Sequence, residues 1–334
     1  MRAYVIALIL SFLVVPLMKL LSMTKKMQDT PNHRSLHTTP VGRGGGIAIV
    51  ISFLLGIWFH EDLIISEKVW FVAICMGISL IGFLDDMFSV KSIYRLCGHI
   101  ALSFLFLYFV EYPTEISLFS LGVWQGNTVA LFFIGFLVWF TNLYNFMDGS
   151  DGLTASQAAF VAIASGAISW WNNQGTVLPF FVLGLSLVGF FIFNWHPAKI
   201  FMGDVGSSFL GFTLGGLALL SEVNRHMPGY ISLILNATFI TDATLTLAYR
   251  ILNRQKFDEA HRTHMYQKAI LGGKSHKQVA LFNLYYNTLW LFPMAVLSIW
   301  RPQLSVYFFL AAYLPPIILW QKLKGGRIEE RSTT

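Results

Sequence analysis

Eleven apolar runs in this chain are long enough, or nearly so, to cross a bilayer, and that alone rules out most folds. They fall at roughly 3–22, 46–60, 68–84, 99–116, 128–145, 152–171, 177–193, 208–221, 230–250, 279–299 and 303–320. An α-helix climbs about 1.5 Å per residue, so about 20 residues span a hydrocarbon core roughly 30 Å thick. Lipid offers no hydrogen bonds to a backbone, which leaves the helix as the form such runs must take. With 55% hydrophobic and 12% charged residues among 334, the chain has too much apolar surface for a water-soluble core. The sequence predicts an all-α polytopic integral membrane protein of about 11 transmembrane helices, one membrane domain over residues 1–334 with no internal repeat. The first run has the look of a signal peptide, but no small-residue cleavage site stands out and it is read as the first helix. The eighth is short and is expected to be tilted or broken.

Lysine and arginine fix the orientation. If the eleven spans alternate sides, one side receives only Arg2, Lys68, Arg225 and Arg301, and the other 19 of the 23 basic residues lie on or beside the opposite side. The positive-inside rule assigns those 19 to the cytoplasm, with the N-terminus outside and the C-terminal tail, Lys322, Lys324, Arg327 and Arg331, inside. The net charge of +6 then describes a cytoplasmic fringe suited to anionic lipid and anionic substrate, with no nucleic-acid partner. Two cysteines, Cys75 and Cys97, provide neither a disulfide framework nor a cysteine metal site.

That orientation gathers the polar loops on one face, near 23–45, 85–98, 145–152, 194–207 and 251–277. Residues 142–153 read NLYNFMDGSDGL directly after an apolar stretch, and Asn142, Asn145, Asp148 and Asp151 recur every three residues. If the helix continues a turn past the apolar part, they crowd one side of it, a place to hold a cation and a charged substrate. The first inside loop, DTPNHRSLHTTPVGRGGG, carries His33, Arg34, His37 and Arg43 before Gly44, Gly45 and Gly46. Cations beside a glycine run can wrap a phosphate with charge and backbone N–H groups; a flexible basic loop over anionic headgroups is the competing reading. Asp85 and Asp86 end the third span with Lys91 and Arg95 close behind. Adjacent carboxylates repel unless a cation compensates them, or else they mark a helix end in headgroup water.

Asp204 stands between Gly203 and Gly206 in NWHPAKIFMGDVGSS, in a turn where a ligand can approach the backbone closely. In AHRTHMYQK, His261 and His264 are three apart but lack a third zinc donor in register. With Arg262 they read better as a phosphate clamp, or as part of a basic surface loop. Asp242 lies inside the ninth span with Arg250 two turns on, a costly placement whose role the sequence leaves open.

The strings GFLDDMFSVKSIYRL, NLYNFMDGSDGL, FMGDVGSS and AHRTHMYQ, in this order and on one face, resemble the polyprenyl-phosphate N-acetylhexosamine-1-phosphate transferases of glycosyltransferase family 4. Within that family the chain is most similar to the bacterial enzymes that initiate O-antigen on undecaprenyl phosphate. The resemblance implies a bacterial inner-membrane enzyme with a cytoplasmic-face site, passing an N-acetylhexosamine-1-phosphate from a UDP-sugar to undecaprenyl phosphate and releasing UMP. It implies Mg2+, with Mn2+ as the alternative ion, held by Asp204 as principal ligand and Asn145 as a second. Asp148 and Asp151 then line the nucleotide-sugar side, Arg95 falls where the family places a phosphate-binding cation, and Asn194 and Phe201 match uridine contacts. Arg43, His261, Arg262 and His264 complete the expected substrate-binding set, and a homodimer is the expected assembly.

Asp85 and Asp86 match the family's aspartate pair, for which both deprotonation of the lipid phosphate and a covalent acyl phosphate have been argued. Direct displacement is the preferred reading, because a phosphate monoester with a second pKa near about 6 is already largely dianionic at neutral pH. The last loop lacks a contiguous histidine run, which argues against a MurNAc-pentapeptide donor, and no residue decides between GlcNAc, FucNAc and QuiNAc. The alternative of another class is an ion-coupled secondary transporter using Asp85, Asp86, Asp148 and Asp242. It fits poorly with carboxylates gathered at one interface and no visible repeat.

Overall fold

The computed structural model describes residues 1–22, 27–31, 36–37, 39–60, 65–110, 112, 115–117, 123–172, 179–256 and 261–327. His33 and Arg34 lie outside the described residues. The apolar runs become helices α1 (Arg2–Leu21), α2 (Gly46–Trp58), α3 (Ile65–Phe88), α4 (Ser92–Phe109) and α5 (Asn127–Met147). They continue as α6 (Leu153–Asn172), α7 (Phe180–Asn194), α8 (Asp204–Val223), α9 (Gly229–Leu235) and α10 (Ala237–Leu252). After the short α11 (Met265–Leu271) come α12 (His276–Tyr286), a π turn over Asn287–Leu291, α13 (Phe292–Trp300) and α14 (Ser305–Lys322). Two antiparallel ladders qualify the all-helical expectation: β1 (Gln28–Asp29) pairs with β2 (Val41–Gly42), and β3 (Glu115–Ser117) with β4 (Val123–Gln125).

Among the described residues, eight helices are long and apolar enough to cross a membrane, or nine if α9 and α10 form one span. The expected count of eleven is reached only with α2 and α7, which are apolar but just 13 and 15 residues long. Large apolar side chains such as Leu13, Phe104, Leu131 and Leu314 face outward, as a bilayer solvent requires.

Two expectations need correction. The eighth run is neither short nor marginal: α8 is 20 residues long, and 94% of its apolar window is buried inside the protein. Its first turn is polar and glycine-containing, so hydropathy alone understates it. α8 is the central post of the fold and packs most extensively against α3 and α5. The ninth run is not one helix: the axis turns by 78° between α9 and α10 at Asn236. Leu235 C=O, freed at the break, accepts from Gln157 Nε2 at 3.1 Å, and the Asn236 side-chain Oδ1 accepts from the Tyr144 hydroxyl at 2.8 Å. Without such partners a break at this depth would leave buried polar groups unpaired.

The polar ends of these helices converge. Ser22, just past α1, lies against Gly42, whose neighbours Gly45 and Gly46 donate to Phe201 and Met202 C=O ahead of α8. At the other terminus, Gly326 N–H donates to Thr263 C=O at 2.7 Å. The start of α1 and Gly326 therefore lie at opposite ends of the bundle, with Gly326 on the side of the polar loops.

Candidate active site

Asp204 is the first residue of α8, which corrects its reading as part of a free turn between helices. The backbone enters through Gly203 at φ 76°, a left-handed conformation, and a Cβ there would sit 2.6 Å from the Asp86 carboxylate. α3 crosses α8 tightly at this point: a Cβ on Gly82 would lie 2.3 Å from Asp204 C=O. Asp85 and Asp86 belong to the last turn of α3 and not to a loop, and most of the expected 85–98 loop is helical, with α4 starting at Ser92.

Consecutive helical residues point about 100° apart, and here the two carboxylates part company. Asp86 accepts the N–H groups of Asp204 and Val205, each at 3.0 Å, and so caps α8 from another helix. Asp85 turns instead to Arg95, whose Nη1 hydrogen-bonds both Asp85 and Asp204, the latter at 2.7 Å. One guanidinium nitrogen thus holds two carboxylates from helices that would otherwise repel.

Asn145 lies on α5 with Asn142, but the helix ends at Met147, so Asp148 at its C-cap and Asp151 in the turn beyond fall outside the expected helical row. Asn145 Nδ2 donates to Ser207 of α8 at 3.4 Å. Asp148 follows at the helix end. Burial first, then the Asp204 charge, raises its carboxyl well above the usual range. Asp151 serves as a fastener for the chain after α7, accepting from His196 Nδ1 at 2.7 Å and from Ala198 N–H at 3.1 Å.

These residues surround a cavity of about 410 Å³ lined by Asp86, Asn145, Asp148, Asp151, Asp204, Arg43 and Phe201 among others. Arg43 donates to Asp29 at 2.8 Å. Burial disfavours its charge, but the Asp29 contact and the fields of Asp86 and Asp204 hold it more firmly protonated than usual. Phe201 presents its ring to the cavity with His37 edge-on, ring centroids 5.0 Å apart. Asn194 borders the same space, but its amide is engaged: Oδ1 accepts from Gly152 N–H and Nδ2 donates to Ile200 C=O, both at 3.0 Å.

The last loop is arranged differently from the sequence expectation. Among the described residues, His261, Arg262 and His264 do not line the cavity; Gln267 and His276 do. His264 is buried with Nδ1 3.4 Å from Asp242, and burial, His264 and Arg250 together push His261 down to about 3. Asp242, whose role the sequence left open, caps α11 by accepting from Met265 and Tyr266 N–H at 2.7 and 3.1 Å. Tyr266 in turn reaches Phe146 C=O at 3.3 Å and lies against Gly149. Sequence reasoning missed His276, Gln267 and Asp29. A capping box, Ser275 with Gln278, marked the start of α12, and Asp29 opened the first inside loop.

Chemically this is a hard-oxygen site with surplus negative charge beside two arginines. Among the described residues no three His, Cys, Asp or Glu side chains converge to hold a metal by themselves. A Mg2+ ion here would have to take one or two carboxylates and complete its shell with water and substrate phosphates.

Residues 68–222 match the family model described as glycosyl transferase family 4. The chain is 30% identical over 298 residues to a probable undecaprenyl-phosphate N-acetylglucosaminyl 1-phosphate transferase of Bacillus subtilis, covering 84% of this chain and 79% of that one. It is 27% identical over 270 residues to the phospho-N-acetylmuramoyl-pentapeptide-transferase of Anoxybacillus flavithermus, covering 75% and 81%. To the enzyme of the same name from Lactiplantibacillus plantarum it is 35% identical over 217 residues, covering 59% and 67%. Extended similarity through the segments that carry Asp85, Asn145 and Asp204 places the chain in glycosyl transferase family 4, as a membrane-embedded phosphoglycosyltransferase.

Proposed function

We propose that the protein transfers an N-acetylhexosamine-1-phosphate from a UDP-sugar to undecaprenyl phosphate, releasing UMP, at the cytoplasmic face of a bacterial inner membrane. The product would start a lipid-linked cell-surface polysaccharide, and O-antigen is the class the sequence resemblance favours. The observation that carries this reading is the Arg95 bridge between Asp85 and Asp204 at the rim of a cavity walled by Asn145, Asp148 and Phe201. A cation beside carboxylates at the end of membrane helices suits a lipid phosphate arriving from the bilayer, while the cavity suits a nucleotide sugar from water.

In the proposed step an oxygen of the lipid phosphate attacks the sugar-bearing phosphorus. A new P–O bond forms, and the bond to the bridging oxygen breaks, with its electron pair leaving on UMP. Arg95 would receive the lipid phosphate, exchanging one of its carboxylate partners for it. Arg43 would face the donor diphosphate, and Phe201 would offer a stacking face to uracil. Asp204, with Asn145 through its amide oxygen, would hold Mg2+, which supplies charge neutralisation on the diphosphate. The relatives' names support either a GlcNAc or a MurNAc-pentapeptide class of donor; the last loop, without a contiguous histidine run, favours GlcNAc or a related HexNAc. The test is incorporation of label from a panel of UDP-sugars into a lipid-extractable product, with and without Mg2+. Absence of any Mg2+-dependent lipid product across the panel would refute the reading.

A further inference from the structure

His276 lines the cavity wall, away from Arg95, and no part of the proposed chemistry uses it. It is the first residue of α12, and each of its ring nitrogens meets a different segment. Nδ1 lies 3.3 Å from Asp151 N–H and 3.0 Å from the Ser150 hydroxyl. A backbone N–H can only donate, so Nδ1 must accept, and the ring is then the neutral tautomer with its proton on Nε2. That proton points at Leu36 C=O, 3.4 Å away. The ring also stacks on His196, centroids 5.3 Å apart and planes within 4°, and His196 is itself fastened to Asp151. One imidazole therefore joins three parts of the chain: the segment between β1 and β2, the turn after α5, and the start of α12. Leu36 and His37 form the cavity wall beside Phe201, and Ser150 and Asp151 form the wall beside Asp148.

We infer that His276 is a positioning residue for the nucleotide-sugar donor, a latch that holds the Leu36–His37 segment against the Ser150–Asp151 turn and so closes the far wall of the cavity. The inference rests on the reading of this cavity as the donor site. Because both ring nitrogens are used within the protein, His276 acts through the walls it joins and not by touching the phosphates. Loosening the latch should weaken donor binding and leave the chemical step and the lipid acceptor largely unaffected.

Three variants divide the latch. Asn at 276 keeps an acceptor near the Nδ1 position, facing the turn; Gln keeps a donor near the Nε2 position, facing Leu36; Ala keeps neither. Transfer kinetics with UDP-GlcNAc should show the donor KM raised about tenfold or more in H276A, the scale of losing one to two hydrogen bonds. H276N and H276Q should fall between H276A and wild type, with kcat and the lipid KM within about threefold of wild type. Hydrogen–deuterium exchange of the purified full-length protein supplies a readout independent of turnover. H276N should loosen peptides over residues 39–45, H276Q those over 149–153, and H276A both. Unchanged exchange in all three variants, or equal loss of kcat without a rise in donor KM, would overturn the latch. If exchange changes as expected but no UDP-sugar is a substrate for wild type, the latch stands and the donor assignment fails.

Discussion

Asp86 offers the sharpest test of whether the aspartate pair reacts or positions. Its carboxylate takes the first two N–H groups of α8, both at 3.0 Å, and thereby sets the height at which Asp204 meets Arg95. Asp86→Ala strands two backbone donors at a half-buried helix start. Each unsatisfied buried donor costs about 1–3 kcal/mol, and water recovers part of that here, so a net loss of about 2 kcal/mol is expected. Asp86→Asn keeps one acceptor oxygen but loses the second along with the charge-assisted and helix-dipole share, a net loss of about 1 kcal/mol once water serves the freed N–H. If the whole loss appears as misplacement of Asp204, these convert to roughly 30-fold and fivefold reductions in kcat/KM at about 1.4 kcal/mol per tenfold. The assay is Mg2+-dependent transfer of labelled sugar phosphate to undecaprenyl phosphate in detergent, beside a thermal melt of each variant. An Ala variant melting lower than Asn, and Asn more active than Ala, is the expected order. Equal and complete inactivity of both variants with wild-type melting would make Asp86 a reacting group and refute the capping argument.

Asp204→Asn should abolish transfer without unfolding the protein, and EDTA should reproduce the loss in wild type; full activity in EDTA would contradict a metal role. Asp85→Asn should retain measurable turnover that recovers between about pH 7 and 9, above the lipid phosphate's second pKa of roughly 6, whereas a labelled enzyme that releases UMP without acceptor would point to a covalent route. Asp148 has a folded pKa raised by burial and by Asp204, so the folded state binds more protons than the unfolded chain and loses stability as pH rises from the unfolded value near about 4 through the raised one. Asp148→Asn should accordingly melt higher than wild type at pH 8 while losing activity, and Mg2+ binding to wild type should release protons and strengthen as pH rises, readable by calorimetry in two buffers. For orientation, in a Cys97→Ser background, cysteines at Ser92 and Lys274 should be shielded from a membrane-impermeant thiol reagent in intact cells, and one at Arg225 labelled, because these positions are exposed at opposite ends of the bundle.

The helices were largely legible from apolar run length, since lipid leaves the backbone few other forms. Asn145 was legible too: spacing by three made sense only on a helix, and α5 carries it and Asn142, though not Asp148 and Asp151. The break at Asn236 was not, because ISLILNATFI is apolar on both sides and what permits the bend, Gln157 and Tyr144, lies far away in sequence. The aspartates of the polar loops could be gathered on one face but not divided by role. Asp86 and Asp242 meet backbone N–H groups 118 and 23 or more residues distant, and no local pattern announces a cap supplied by another helix. His276 escaped for the same reason, its partner at Leu36 being 240 residues away.

Those remote caps have a consequence for how such a protein can change. Asp86, Asp151 and Asp242 each grip main-chain N–H groups of a neighbouring segment, at Asp204 and Val205, at Ala198, and at Met265 and Tyr266. Asp151 also takes the His196 ring and Asp242 lies against His264, but the main-chain part of each grip is indifferent to the side chains of the residues whose N–H groups it takes. The segment after His264 could therefore exchange its substrate-facing residues while remaining moored in the same place. Under the proposed function, donor preference can then change without loss of architecture, and a loop transplanted from a relative with another sugar should seat correctly wherever its backbone can offer two successive N–H groups to Asp242.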